Sequence, residues 1–231
     1  NSSLEASLAY YRMIKDGYLR GYEDTKLISV FMSQPYFLHL NTPYQSLDDL
    51  KGKKIRVAGY LQAEIIRRLG GTPIGGTPVT QIRESISRGL IDGTLLGWDS
   101  MHIFGVKHVT HYHIEIPVTY TPILLLMNLA SYESLDSKHR TLIDQSSGEE
   151  MVNHFSTATT ALALKIYEET LDQDGQHFIT PDKDELSRWH KALSPIEQSW
   201  INQNPNGGWR MKGLNGILTA VRRELNTDSK S

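Results

Sequence analysis

The sequence contains no cysteine in 231 residues, which excludes disulfides, thiolate metal ligands and a cysteine nucleophile. A chain without thiols also suits an oxidising compartment, where stray cysteines would mispair. Long apolar runs are lacking too: the longest, Ile123 to Met127, suits a buried strand and is far shorter than a membrane span. The first residues lack the charged and apolar regions of a signal peptide, so we expect any export signal to have been removed.

Charge of one sign is not in excess, because 24 Lys and Arg residues stand against 26 Asp and Glu residues. Without a basic excess to neutralise a phosphate backbone, nucleic-acid binding is disfavoured. The sequence also has no GxSxG nucleophile motif, no HExxH metal motif and no glycine-rich stretch that continues into Gly-Lys-Ser/Thr. These absences favour a binding protein over an enzyme.

Apolar periodicity and turn residues predict alternating strands and helices in the first half of the chain. Amphipathic helices are expected at about Leu4 to Arg20 and at Gln62 to Leu69, the second ended by two glycines. The expected strands are Leu27–Met32, Tyr36–Leu40, Lys53–Val57, Thr72–Ile74 and Leu90–Leu96. This alternation predicts an α/β fold whose sheet contains parallel pairs.

After residue 130 the pattern becomes mainly helical. The stretch from Leu135 to Leu171 predicts helix with a break near Gly148, and a short strand is expected at His177 to Ile179. Further helices are expected near residues 184–192, 195–202 and 214–225.

Arg56 is the leading candidate for a ligand-binding residue. It lies near the carboxyl end of a predicted strand, and open α/β sheets bind ligands in the crevice outside such strand ends. Alternation along the strand points its side chain away from the face that holds Ile55 and Val57. A guanidinium there can hold a carboxylate through two parallel hydrogen bonds. The alternative is a surface arginine in a lysine-rich turn.

The segment SLDDLKGKKIRV at residues 46–57 resembles the signature of the solute-binding subunits of TRAP (tripartite ATP-independent periplasmic) transporters, the DctP-like group. The resemblance continues through LGGTP at 69–73 and GLIDG at 89–93, and through later segments at 174–179 and 195–200. It covers nearly the whole chain. The first motif is specific, and the order and spacing of the weaker ones reinforce it.

The resemblance implies an α/β, two-lobed fold of the periplasmic-binding-protein type II kind with the ligand between the lobes. Lobe I and a connecting helix are expected from residues 1–33 plus 122–161, and lobe II from residues 34–121 plus 162–231. Family members begin with a strand, a helix and a strand before the segment where this chain starts, so the first lobe is expected to be incomplete. Exposed strand edges would then favour self-association.

The resemblance also assigns site residues. In the family, the arginine of the Lys-x-Arg-Val segment holds the ligand carboxylate, and it corresponds to Arg56. A second position, often arginine, falls at Tyr36, and an asparagine of some members falls near Leu96. With Trp98 and Tyr120, these residues predict an apolar or aromatic pocket that suits a monocarboxylate with a hydrophobic body. For Trp98 and Tyr120 the alternative is packing in the core.

The histidines at 108, 111 and 113 are the remaining cluster of potential metal ligands. On a strand, His111 and His113 would share one face and His108 would lie on the other, but no cysteine or nearby acid completes a metal site. We therefore expect a solvated strand and no bound metal.

The expected function is capture of a small organic acid in the periplasm and its delivery to TRAP membrane subunits, with no cofactor and no turnover. A sensor or degenerate ligand-binding domain is one alternative, because Tyr36 replaces a cation and the front of the first lobe is missing. A hydrolase that uses Asp92 or Asp99 with a histidine is another, although no spacing fixes such a pair.

Overall fold

The computed structural model of the chain describes residues 3–196 and residue 199. The helix expected at 214–225, most of the helix expected at 195–202 and the last part of the expected second lobe lie outside the described residues. Within the described part, no helix is both long and apolar enough to cross a membrane.

The described helices include those expected at the start of the chain, at 62–69, over 135–171 and near 184–192, and three shorter ones. In chain order they are α1 Ser3–Lys15, α2 Tyr60–Arg68, α3 Ile82–Ser87, α4 Trp98–Ile103, α5 Leu129–Glu133, α6 Ser137–Gln145, α7 Glu149–Leu171 and α8 Lys183–Leu193. Helix α1 is shorter than expected because Gly17 adopts a left-handed conformation with φ of 71° and ends the helix. The predicted break near Gly148 is confirmed: this residue has φ of 91° and separates α6 from α7.

The strands expected from apolar runs are present and one more lies at 112–119, but the expectation that Ile123 to Met127 is buried is wrong, because that strand is partly exposed. They are β1 Thr25–Met32, β2 Tyr36–Leu40, β3 Lys54–Arg56, β4 Thr72–Ile74, β5 Gly93–Leu96, β6 Tyr112–Thr119, β7 Pro122–Asn128 and β8 His177–Ile179. Strands β2, β4 and β8 have the predicted bounds, whereas β3 and β5 are shorter than expected.

Six strands form one sheet in the order β4-β3-β5-β2-β6-β8. Strand β3 pairs in parallel with β4 and β5, and β6 pairs in parallel with β8. Strand β2 is antiparallel to both of its neighbours, β5 and β6. The predicted α/β class with parallel pairs is confirmed. A separate two-stranded sheet pairs β1 with β7 in antiparallel orientation.

The chain divides into two compact units. Among the described residues, unit 1 comprises 3–33 and 121–160 and contains the two-stranded sheet. Unit 2 comprises 34–120 and 161–196 and contains the six-stranded sheet. Over the described residues, the expected division differs from these units in the placement of residues 121 and 161, and the assignment of lobes stays a prediction.

Unit 1 has a small core in which Leu8 and Tyr11 of α1 pack with Val30 of β1 and Val152 of α7. Strand β7 leaves several large apolar side chains about two-fifths exposed: Ile123, Leu125 and Leu126. Self-association through exposed strand edges stays a prediction.

The core of unit 2 lies on both faces of its sheet. Neighbouring residues of β5, Leu95 and Leu96, belong to different apolar clusters, because successive side chains of a strand point to opposite faces. Helices α2 and α8 contribute to the cluster on one face, and α3, α4 and α7 contribute to the cluster on the other. A sheet covered on both faces leaves its strand ends as the accessible part, and the candidate site lies there.

Candidate functional site

Two parallel strands of unit 2 end side by side at the carboxyl edge of the sheet. Strand β3 ends at Arg56, which pairs with Thr94 of β5, and β5 continues to its last residue, Leu96. Ligands of α/β sheets bind outside such strand ends. Arg56 and Leu96 therefore occupy the edge that the sequence predicted for the site.

The antiparallel strands bring two more predicted residues to this edge. Strand β2 starts where β5 ends, because its second residue, Phe37, pairs with Leu96, and Tyr36 is its first residue. Thr119, the last residue of β6, pairs with Tyr36, so Tyr120 follows at the same edge. The topology thus gathers residues from three separate parts of the sequence, at 36, 56 and 96, with residue 120 beside them.

Arg56 is buried as a residue, with 7% of it exposed. Its Nε donates a hydrogen bond to the backbone oxygen of Thr77 at 3.1 Å. Within the described residues no carboxylate forms an ion pair with it, and Tyr36 is the group whose electrostatic effect reaches it. Burial lowers the pKa of Arg56, and Tyr36 opposes that shift. A buried cation with one neutral acceptor has hydrogen-bonding capacity left for an anion.

The surroundings of Arg56 are set by β4 and by the start of α2. Arg56 lies opposite Ile74 of β4, and the loop after that strand carries Thr77. On the other side of Arg56 the chain turns through Gly59 into α2, whose first two residues, Tyr60 and Leu61, are 69% and 49% exposed. Sequence reasoning missed these two apolar side chains. Their position four and five residues after Arg56, at the start of the following helix, was the signal that could have found them.

The other predicted residues differ in exposure. Tyr36 and Leu96 are buried, and Leu96 belongs to the apolar cluster that also contains Trp98. Tyr120 is 41% exposed. Whether each of these side chains contacts a ligand stays a prediction.

Trp98 begins α4 two residues after the last residue of β5. Its side chain is buried in the core, which is the alternative to ligand contact that the sequence left open. Its ring centroid lies 4.9 Å from those of His39 and His113 and 5.5 Å from those of Tyr167 and Phe178. These contacts are edge-on or stacked, which are the favourable arrangements for aromatic rings. The indole therefore packs among aromatic rings close to the end of β5.

The prediction of a solvated histidine strand is wrong for His113. His113 lies in β6 between β2 and β8, and it is 1% exposed. His111 precedes that strand and is exposed, and His108 ends a short 3-10 helix at Val106–His108. Within the described residues, no group of three or more His, Asp or Glu side chains is arranged to hold a metal ion.

Of the two aspartates considered for hydrolysis, Asp92 has a structural contact and Asp99 is buried. Asp92 accepts the backbone N–H of Lys54 at 2.7 Å, which ties the start of β3 to the start of β5. Asp99 is buried in α4, and burial raises its pKa while hydrogen bonds from Ser100 oppose the shift. Neither forms an ion pair with a histidine among the described residues.

A cavity of about 560 Å³ lies within unit 1 and is lined by residues of α1 and the following turn, including Tyr11, Lys15, Arg20 and Tyr22. None of the predicted site residues lines it.

Comparison with known proteins places the chain in a family. Residues 24–204 match the family described as bacterial extracellular solute-binding protein, family 7 (DctP). A solute-binding protein of Chromohalobacter salexigens is 25% identical over 171 residues, which are 71% of this chain and 47% of that protein. The chain thus spans about half the length of this relative.

Two solved structures share the fold. A TRAP solute-binding protein from Rhodoferax ferrireducens, in complex with copurified benzoate, is similar with a TM-score of 0.87 and 23% identity, over 99% of this chain and 71% of that one. A marine metagenome TRAP solute-binding protein specific for aromatic acid ligands, in complex with metahydroxyphenylacetate, has a TM-score of 0.83 and 24% identity, over 98% of this chain and 71% of that one. The predicted two-lobed solute-binding fold and the TRAP resemblance are confirmed, and this chain belongs to the bacterial extracellular solute-binding proteins of family 7, the DctP family.

Proposed function

We propose that this chain captures a small organic acid and that Arg56 holds its carboxylate. The observation that carries the proposal is the buried guanidinium at the carboxyl edge of the sheet, which has one backbone acceptor and no carboxylate partner within the described residues. A buried charge without a partner is costly, and a ligand carboxylate would supply the missing anion and two charge-assisted hydrogen bonds.

The residues around Arg56 favour an aromatic monocarboxylic acid. Tyr36 stands where relatives often carry a second cation, Leu96 is apolar, and Tyr60 and Leu61 are exposed at the start of α2. An apolar wall can cover an aromatic ring, whereas it would leave the hydroxyl groups of a sugar acid without partners. The benzoate and metahydroxyphenylacetate in the two similar structures belong to the same chemical class.

We also propose that binding takes place in the periplasm, that the acid is delivered to TRAP membrane subunits, and that the chain performs no turnover. Membership of an extracellular solute-binding family supports the location and the role. Benzoate has no hydrolysable bond, so the test uses its methyl ester: incubation of the purified chain with methyl benzoate, followed by chromatography, should return the ester unchanged. Release of more than one equivalent of benzoate per chain would favour the hydrolase alternative.

Isothermal titration of benzoate into the Arg56→Ala variant tests the carboxylate role. We expect the affinity to fall at least about a hundredfold, since charge-assisted hydrogen bonds to a buried cation are worth about 3 kcal/mol. Arg56→Lys should lose part of that affinity, because an ammonium keeps the charge but not the bidentate geometry.

Arg67→Ala is the matched control. Arg67 is an exposed arginine of α2, only 11 residues along the chain, and its ion-pair partner is Glu64 one turn earlier. This variant should bind benzoate as tightly as the unmodified chain. Equal affinities for Arg56→Ala and Arg67→Ala would refute the role of Arg56. Failure of the unmodified chain to bind any of a panel of organic acids would favour the degenerate binding domain.

A further inference from the structure

Unit 2 contains a buried pair of histidines, His39 of β2 and His113 of β6, which lie opposite each other in the two antiparallel strands. Their Nδ1 atoms are 2.8 Å apart. His39 Nε2 lies 3.2 Å from the backbone oxygen of Leu96, and His113 Nε2 lies 2.8 Å from the side-chain oxygen Oε1 of Gln176. The four groups form one continuous hydrogen-bonded chain that ends at the last residue of β5.

The chemistry of the acceptor at Leu96 fixes the position of each proton. A carbonyl oxygen only accepts, so His39 Nε2 must carry hydrogen and, in a neutral ring, His39 Nδ1 must accept. His113 Nδ1 must then donate, and in a neutral ring its Nε2 must accept. Because Oε1 of Gln176 is itself an acceptor, the neutral arrangement requires a half-turn of the Gln176 amide that brings its NH2 group to His113 Nε2. With the amide turned in this way, two neutral rings satisfy every polar atom of the chain.

Both rings stay neutral because no anion within the described residues pairs with them and the surroundings disfavour positive charge. Burial lowers the pKa of His39 well below its usual value, and it lowers the pKa of His113 to about 4. His111 and His177 lie near His113 and act in the same direction. The other aromatic rings that contact the pair, those of Trp98 and Phe178, carry no charge.

A buried polar pair is a costly way to fill a core, since two apolar side chains of similar shape would cost nothing in desolvation. What the pair adds is a directed hydrogen bond to the end of β5 at the candidate site. His39 lies opposite Thr94, and its ring reaches along β5 to the oxygen of Leu96, two residues further on. The same ring meets the Trp98 indole edge-on.

We propose that His39 and His113 are positioning residues for the ligand site, which hold the backbone of Leu96 and the indole of Trp98 in one arrangement at the carboxyl edge of the sheet. The inference rests on the proposed function, because it takes that edge to be where the acid binds. The two histidines do not touch the acid. They act through Leu96.

Two substitutions of His39 separate positioning from packing. In His39→Gln, the side-chain amide keeps an N–H donor for the Leu96 oxygen and an oxygen that can accept from His113 Nδ1. His39→Leu fills a similar volume and has neither group. We expect benzoate affinity to fall about tenfold in His39→Leu, the equivalent of one lost hydrogen bond, and to stay within about threefold in His39→Gln.

Leu50→Ala is the control for a loss of stability alone. Leu50 is fully buried in the core of unit 2, but it lies in the turn before β3, at the end of that strand opposite to Arg56. We expect Leu50→Ala to lower the melting temperature and to retain benzoate affinity. Equal losses of affinity in His39→Leu and Leu50→Ala, or no rescue in His39→Gln, would overturn the positioning role.

Nitrogen NMR of the histidine rings tests the pair without any ligand. Two-bond ¹⁵N–¹H correlations at pH 7 should show His39 as the Nε2–H form and His113 as the Nδ1–H form, both neutral. A cationic His113, or an Nε2–H form of that ring, would overturn the inferred chain. If the unmodified protein binds no acid, the proposed function fails while this measurement still decides the pair. If it binds benzoate and His39→Leu binds equally well, only the positioning role fails.

Discussion

At the scale of single residues, Arg56 and the histidine pair represent two solutions to the same problem of burying polar groups. His39 and His113 satisfy each other, Leu96 and Gln176, so their chain is complete within unit 2. Within the described residues Arg56 has one backbone partner and spare donors, and the proposed ligand carboxylate would complete its hydrogen bonding. A buried polar network in which every group is paired stabilises a fold, whereas a buried polar group with spare hydrogen-bond donors indicates a candidate ligand site.

The neutral state of the histidine pair predicts how stability depends on pH. The folded state holds both pKa values below those of the unfolded chain, so it binds fewer protons and is favoured at high pH. As pH falls below about 6.5, the unfolded state takes up protons first, and the free energy of unfolding should fall by up to about 1.4 kcal/mol per pH unit for each histidine. For His113 this loss ends near its folded pKa of about 4.

Urea unfolding at pH 5, 6 and 7 checks this expectation. His113→Gln removes one titrating ring, so its free energy of unfolding should vary less steeply with pH than that of the unmodified chain. Carboxylates with lowered pKa values, such as Asp49, titrate mainly below this pH range, and Asp99, whose pKa is raised, is present in both proteins and so does not affect the difference between their slopes. The same slope in both proteins would contradict the prediction.

At the scale of secondary-structure elements, β5 depends on a glycine at its first residue. A Cβ on Gly93 would lie 2.3 Å from the backbone oxygen of His39 and 2.7 Å from the side chain of Leu40, both in β2. Backbone atoms cannot yield as a flexible side chain can, so Gly93→Ala must push β2 and β5 apart. We expect it to lower the free energy of unfolding by about 3 kcal/mol, the upper range for overpacking a core.

Gly75→Ala is the matched control for this prediction. No atom lies within 4 Å of a Cβ at Gly75, and its backbone is not in the left-handed region. That substitution should change stability by less than about 1 kcal/mol, because alanine restricts the unfolded chain slightly without a clash. Denaturant unfolding of both variants, with circular dichroism as the probe, measures the difference. A Gly93→Ala variant as stable as Gly75→Ala would contradict the close approach of Gly93 in β5 to the backbone of β2.

The elements that the sequence predicted well are those whose signal is local. Strands β2, β4 and β8 have alternating apolar residues or sharp turn residues at their ends, and Gly148 marks the break between two helices. The pairing order could not be predicted, because the antiparallel insertion of β2 between β5 and β6 depends on contacts between distant segments. His113 was mispredicted for the same reason: its burial is decided by β8, more than 60 residues later.

In the candidate site, too, residues with a local sequence signal could be predicted, and those brought together by distant contacts could not. Arg56 could be predicted because it lies within a strand signal and a family motif next to each other in the sequence. That Tyr36 and Leu96 begin and end neighbouring strands at the same sheet edge could be predicted only by family resemblance, since the residues are 60 positions apart. That no carboxylate among residues 3–196 pairs with Arg56 could not be predicted at all, because it depends on which side chains surround the residue in the folded chain.

At the scale of the whole molecule, ligand binding and stability are linked, so a thermal-shift panel measures the chemical class of the ligand. A ligand at a hundred times its dissociation constant stabilises the folded state by about 2.7 kcal/mol, which in a chain of this size raises the melting temperature by several degrees. We expect such a shift with benzoate and with 3-hydroxybenzoate. Glucuronate at the same concentration should give none, because the apolar surroundings of Arg56 leave its hydroxyl groups unpaired.

Benzamide and the Arg56→Ala variant are the two controls for this panel. Benzamide has the same ring without the negative charge, so it should produce no shift if the guanidinium of Arg56 supplies most of the binding energy. The Arg56→Ala variant should likewise show no shift with benzoate. A larger shift with glucuronate than with benzoate would move the ligand class to sugar acids, and would require Tyr36 and its neighbours to supply hydrogen bonds rather than an apolar wall.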